Sequence, residues 1–136
     1  MLKQITILYL SALILMLTMD GIWLSTMSKP FYVPRMGHLM AEKFSLLPAA
    51  IFYVLYVAIL VTLILWPAMQ SQQTLLKTMF QGALLGFAAY MAYDMTNQAT
   101  LKNWSWTLSI VDMAWGATVT ACVSGVSVWV TRWFER

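Results

Sequence analysis

The sequence predicts an all-α integral membrane protein, a four-helix transmembrane bundle with antiparallel neighbours. Three observations carry this. The chain of 136 residues is 61% hydrophobic and only 10% charged, whereas a soluble domain is about a quarter charged. Its mean hydropathy is +0.73. It also contains four apolar runs of about 20 residues, the length a helix needs to cross the hydrocarbon of a bilayer. Lipid offers no hydrogen bonds to the backbone, so each run satisfies its own N–H and C=O groups as a helix. The whole chain, 1–136, is expected to form a single transmembrane domain with no soluble appendage.

The first span is roughly 5–25. Met1-Leu2-Lys3 before an apolar run imitates a signal peptide, but the run is long for a signal core and lacks an Ala-x-Ala-like site. It is read as retained. A loop from about Thr26 to Ser45 follows, holding Pro30, Pro34 and Gly37, which are expected to break a continuous helix. Within it, Met36 to Phe44 suits a short interfacial helix. His38 and Glu42 share a face there but make too few ligands for a metal.

The second span is roughly 46–68, opened by Pro48, where proline costs least, and ended at Trp66-Pro67. A polar turn, Gln70-Ser71-Gln72-Gln73, leads to the third span, roughly 76–96. Trp104 and Trp106 mark the interface before the fourth span, roughly 109–129. Trp129, Trp133 and Phe134 close that span beside Arg132 and Arg136. Small residues four apart let helices approach closely. Gly82 and Gly86 on the third helix, and Gly116, Thr120, Ala117, Ala121 and Gly125 on the fourth, are expected to pack these two together or to form a homodimer.

Net charge is +3, but the basic residues form no cluster, so nucleic acid is not an expected partner. One cysteine, Cys122, excludes an intrachain disulfide and a cysteine metal site. No cofactor or metal is expected. The basic residues divide four (Lys3, Lys77, Arg132, Arg136) against four (Lys29, Arg35, Lys43, Lys102). The α-amino group tips the positive-inside rule toward cytoplasmic termini.

Three of the five acidic residues, Asp20, Asp94 and Asp112, fall inside spans, where an ionisable group points to function. Counting crossings puts all three at one level, roughly 6–9 Å below the same surface. Trp23, Asn97 and Trp115 each follow an Asp by three residues on the same helix face. Tyr90 shares the face of Asp94, and Tyr93 that of Asn97. Tyr53 and Tyr56 of the second helix are within reach. The expected picture is a shallow chamber of carboxylates, phenols, an amide and indoles, with Asp94 as the leading candidate. The helix dipole favours charge on Asp112 over Asp20 and Asp94, which suits coupling to a proton. Against a functional reading, Ser109-x-x-Asp112 matches a capping box, and Asp20 and Asp94 suit interhelical hydrogen bonding. The Asp-containing ends of the first and third helices also suggest a two-helix unit used twice, as in some transporters.

Asp20-x-x-Trp23-Leu24, Pro48-Ala49-Ala50-Ile51-Phe52-Tyr53, Tyr93-Asp94-x-Thr96-Asn97-x-Ala99-Thr100 and Asp112-x-x-Trp115-Gly116 resemble the bacterial four-helix membrane proteins called domain of unknown function 2177. The resemblance covers nearly the whole chain and implies a multi-pass protein of the bacterial inner membrane, with no established activity. Three functions fit the residues: binding or transport of a small lipid-like or weakly polar molecule, proton-coupled in one form; a lipid-modifying enzyme using Asp94 as acid or base; and a structural partner in a membrane complex. No nucleophile–base or Cys/His pair favours the enzyme, and whether chemistry occurs is left open. The bilayer, a lipid or small-molecule ligand, and a homodimer or membrane complex are the partners considered.

Overall fold

The computed structural model describes Met1–Glu135, and Arg136, expected among the interface anchors, lies outside the described residues. Four helices are long and apolar enough to cross a membrane: α1, Leu2–Leu39; α2, Leu46–Gln70; α3, Leu75–Thr100; and α4, Trp106–Trp133. All run longer than the apolar stretches alone indicated, because interfacial polar and aromatic residues continue each helix beyond the hydrocarbon. Ile14, Leu63, Leu84 and many other large apolar side chains point outward, as a lipid-facing surface requires.

The prolines of the first loop do not break the helix. α1 continues past Met27 through a π-helical turn, Ser28–Tyr32, a short α segment, Val33–Met36, and a 3-10 turn, Gly37–Leu39. The helical part of this connection is thus continuous with α1, and does not span Met36 to Phe44. The second span behaves alike: it passes Trp66-Pro67 through a π-helical turn at Val61–Leu65 and ends at Gln70. A proline ring clashes with the carbonyl four residues earlier. For Pro34 and Pro67 those carbonyls belong to Pro30 and Leu63, each inside a π-helical turn. The wider turn moves the carbonyl away and lets the helix go on.

The helices pack in the order α2–α1–α4–α3. The α3–α4 interface is the most extensive in the molecule, followed by α1–α4. A Cβ at Gly82 would meet Ser124 and the Thr120 carbonyl, one at Gly86 the Gly116 carbonyl, one at Gly116 the Tyr90 ring, and one at Gly125 Met79. The close approach runs through Gly116, Thr120 and Ser124 facing Gly82 and Gly86; Ala117 and Ala121 stand beside it, half-buried. The apolar core, including Leu8, Met16, Leu60, Leu65, Val119 and Val123, fills the half of the bundle nearer the termini. There the Arg132 guanidinium donates to the carbonyls of Ala68 and Gln73, at 3.3 and 2.7 Å. This ties the end of α4 to the end of α2 and the turn that follows it. α3 meets α2 mainly through Val61–Leu65. Toward the opposite end, where α2 starts and α3 finishes, the two separate.

Candidate functional site

At that opposite end the three aspartates stand on α1, α3 and α4. Asp20 is 5% exposed. It accepts one hydrogen bond from the Tyr53 hydroxyl at 2.9 Å and another from the Trp115 indole at 2.8 Å. It thereby joins α1 to both α2 and α4. Its two oxygens are each served by a donor, as an acceptor in apolar surroundings needs.

Asp112 is near enough to interact electrostatically with both Asp20 and Asp94. The Tyr32 hydroxyl donates to its Oδ1 at 2.7 Å, and the Trp23 indole donates to that hydroxyl at 2.9 Å. Trp23 and Trp115 stack, with ring centroids 4.2 Å apart and planes 6° from parallel. The two Asp-x-x-Trp segments are therefore cross-connected. Trp115, from the segment of Asp112, serves Asp20 directly; Trp23, from the segment of Asp20, serves Asp112 through Tyr32. This links α1 with the antiparallel α4, whereas the suggested repeat pairs α1 with the parallel α3.

Asp112 has no capping duty. α4 starts at Trp106, and its N-cap is Ser105, whose side chain accepts from the Leu108 amide at 3.2 Å. The earlier start places Asp112 beyond the first turn and overturns the Ser109 capping box. Ser109 is instead buried and accepts from the Trp104 indole at 2.9 Å. The helix starts early because Ser105 is itself a good cap and nothing between it and Ser109 disfavours a helix.

Asp94 is wholly buried, beside Asp112 and Ser109. Neither of its carboxyl oxygens has a hydrogen-bond partner. A buried polar group without a partner calls for an explanation.

The other expected residues divide between this centre and its surroundings. Tyr53 reaches Asp20. Tyr56 pairs instead with the Thr120 hydroxyl at 2.8 Å, below the acids, and its ring stacks on Phe52. The Tyr90 ring rests on Gly116. Tyr93 is half exposed and packs edge-on against Trp104. Asn97 stands beside the Tyr93 hydroxyl. Tyr32 was missed. Its prolines marked the segment as loop, and no local signal in the sequence brings it 80 residues along the chain to Asp112.

Two clefts share Asp112 and Tyr93 as walls. One, of about 260 Å³, is lined by Leu24, Tyr32, Met36 and Leu108 among others. The other, of about 280 Å³, is lined by Phe52, Ala89 and Tyr90. It opens in the gap between the start of α2 and the end of α3. Asp94 lines neither. Among the described residues, no three His, Cys, Asp or Glu side chains converge as metal ligands.

A family model described as a predicted membrane protein (DUF2177) matches residues 5–129, and the chain belongs to that family. No curated protein and no solved structure shows a match to it.

Proposed function

We propose that this DUF2177 membrane protein binds and transports a small lipid-like molecule, held by its polar end at Asp112 and reaching the site from the side, between α2 and α3. The observation that carries this reading is that Asp112 lines both clefts. Ligand sites are concave and mostly apolar, with a few convergent polar groups. Clefts of this volume suit a head group and the first part of a chain. The gap beside Phe52 and Tyr93, both substantially exposed, lets such a molecule enter without leaving the bilayer. Asp94, buried behind Asp112 without a partner, is the group whose proton such binding would exchange.

Native mass spectrometry of the detergent-purified protein tests this. Wild type is expected to retain a lipid or small molecule that Asp112→Asn and Asp94→Asn lose or hold more weakly. Protein that is empty in every form, with unchanged stability in the variants, would count against binding. Turnover of the retained species would turn the reading toward a lipid-modifying enzyme.

In the same reading the protein lies in the bacterial inner membrane with both termini cytoplasmic. A reporter active only in the cytoplasm, fused after the last residue, should then be active; silence would invert the orientation.

A further inference from the structure

The chemistry around Asp112 defines the polar end of the ligand more narrowly. Asp20, Asp94 and Asp112 together present six carboxyl oxygens, and three side-chain donors serve them: Tyr53, Trp115 and Tyr32. No donor meets hydrogen-bond geometry at either oxygen of the fully buried Asp94, although the Asp112 carboxyl and the Ser109 hydroxyl stand beside it. Neither Arg35 nor Arg132 turns toward these acids. Arg35 lies on the same extension of α1 as Tyr32, but its guanidinium is stacked over the Phe31 ring at 4.1 Å and donates to the Phe31 carbonyl. Arg132 is bonded to Ala68 and Gln73 at the other end of the bundle. Among the described residues, the three acids thus hold more acceptor oxygens than the Tyr53, Trp115 and Tyr32 donors serve, and neither Arg35 nor Arg132 reaches them.

The walls supply the complement to a cation. Tyr90, Tyr93 and Phe52 line the cleft that opens between α2 and α3, together with Asp112. Tyr32 and Tyr93 border the second cleft. Aromatic faces attract a positive charge within about 6 Å of the ring. A carboxylate with spare acceptor capacity forms charge-assisted bonds to an N–H donor. The remaining lining is apolar apart from Ser28.

Resting on the site proposed above, we infer that the ligand is a protonated amine carried on an apolar chain, its ammonium donating to Asp112 between the tyrosine rings. A carboxylate or phosphate monoester at this position would meet Asp112 with two further acids behind it. A neutral alcohol would leave the acid without its counter-charge.

The test compares three probes of equal chain length, dodecylamine, dodecanol and dodecanoate, by thermal shift and native mass spectrometry in a neutral maltoside detergent at pH 7. Wild type should bind dodecylamine about tenfold or more tighter than dodecanol, and dodecanoate least. Asp112→Asn should remove the preference for the amine while leaving dodecanol unchanged. Ala89→Phe, which fills the cleft and touches no acid, should weaken both, and stands in for Asp112→Asn if that variant does not fold. Dihexanoyl phosphatidylethanolamine distinguishes a lipid head group from a simple amphiphilic amine, and binding of either at Asp112 supports the inference. If dodecanol binds wild type as tightly as dodecylamine, and both are lost in Ala89→Phe, the amine is overturned while the site stands. If neither substitution affects any probe, both fall.

Discussion

Gly86→Ala is expected to disrupt the bundle, whereas Gly21→Ala leaves it intact. The two substitutions are chemically identical and both lie within helices. Alanine improves helix propensity by about 1 kcal/mol at either place. At Gly21 the new methyl meets nothing within 4 Å, so only that gain remains, and thermal stability in detergent should stay level or rise. At Gly86 the methyl overlaps the Gly116 carbonyl and the Thr120 hydroxyl. Backbone cannot rotate away as a side chain can, so α3 and α4 must separate along their whole seam. Overpacking of this kind costs about 1–3 kcal/mol and sometimes more, and the separation also strains the Tyr56–Thr120 bond. The melting temperature of Gly86→Ala should fall by several degrees at least. Equal stability of Gly86→Ala and wild type would show that this seam does not hold the helices together.

The second large effect is expected at Asp20. Asp20→Ala removes the acceptor of both the Tyr53 hydroxyl and the Trp115 indole. A buried donor left unpaired costs about 1–3 kcal/mol, and here two are left, at a point where three helices meet. Asp20→Asn, which keeps one acceptor oxygen, should cost less. In a double-mutant cycle with Trp115→Phe, the combined loss should be smaller than the sum of the single losses, because removing the indole donor relieves the penalty of the missing acid. The stack of Trp115 on Trp23 survives in part with phenylalanine. Additive losses, or an Asp20→Ala protein as stable as wild type, would mean that Asp20 is not a joint between the helices. The contrast with Asp112 and Asp94 is then sharp: one acid is consumed by the fold, one lines both clefts, and one is buried behind it.

Much of this site was legible before any tertiary contact was known. The alternation of crossings and the helical rise put Asp20, Asp94 and Asp112 at one level, and in the structure Asp112 is close to both others. The threefold spacing of Asp20 and Trp23, and of Asp112 and Trp115, placed each pair on one helix face. It did not reveal that the tryptophans serve each other's acids. Ser109 looked like a cap because capping is judged from local sequence, and Ser105 offered the same chemistry four residues earlier. Tyr32 was hidden because proline is an ordinary helix breaker, and a π-helical turn is a response to packing with only a weak local signature. Asp94 seemed the leading acid from its neighbours on α3. Burial, which depends on α4, turned that side chain away from the clefts and left Asp112 to line them.

The sequence by itself determined that the chain makes four membrane-crossing helices with three acids near one surface. The physical reason is locality. An apolar run in lipid has to satisfy its own backbone, and helical rise then sets the depth of every side chain. Only the tertiary structure decided which donor reaches which acid, that α1 continues to Leu39 and brings Tyr32 over Asp112, and that α2 and α3 part beside Phe52 and Tyr93. These depend on the rotation of each helix about its axis. That rotation is set by contacts between residues far apart in the chain, above all the close approach of Gly82 and Gly86 to α4, and no local pattern encodes it.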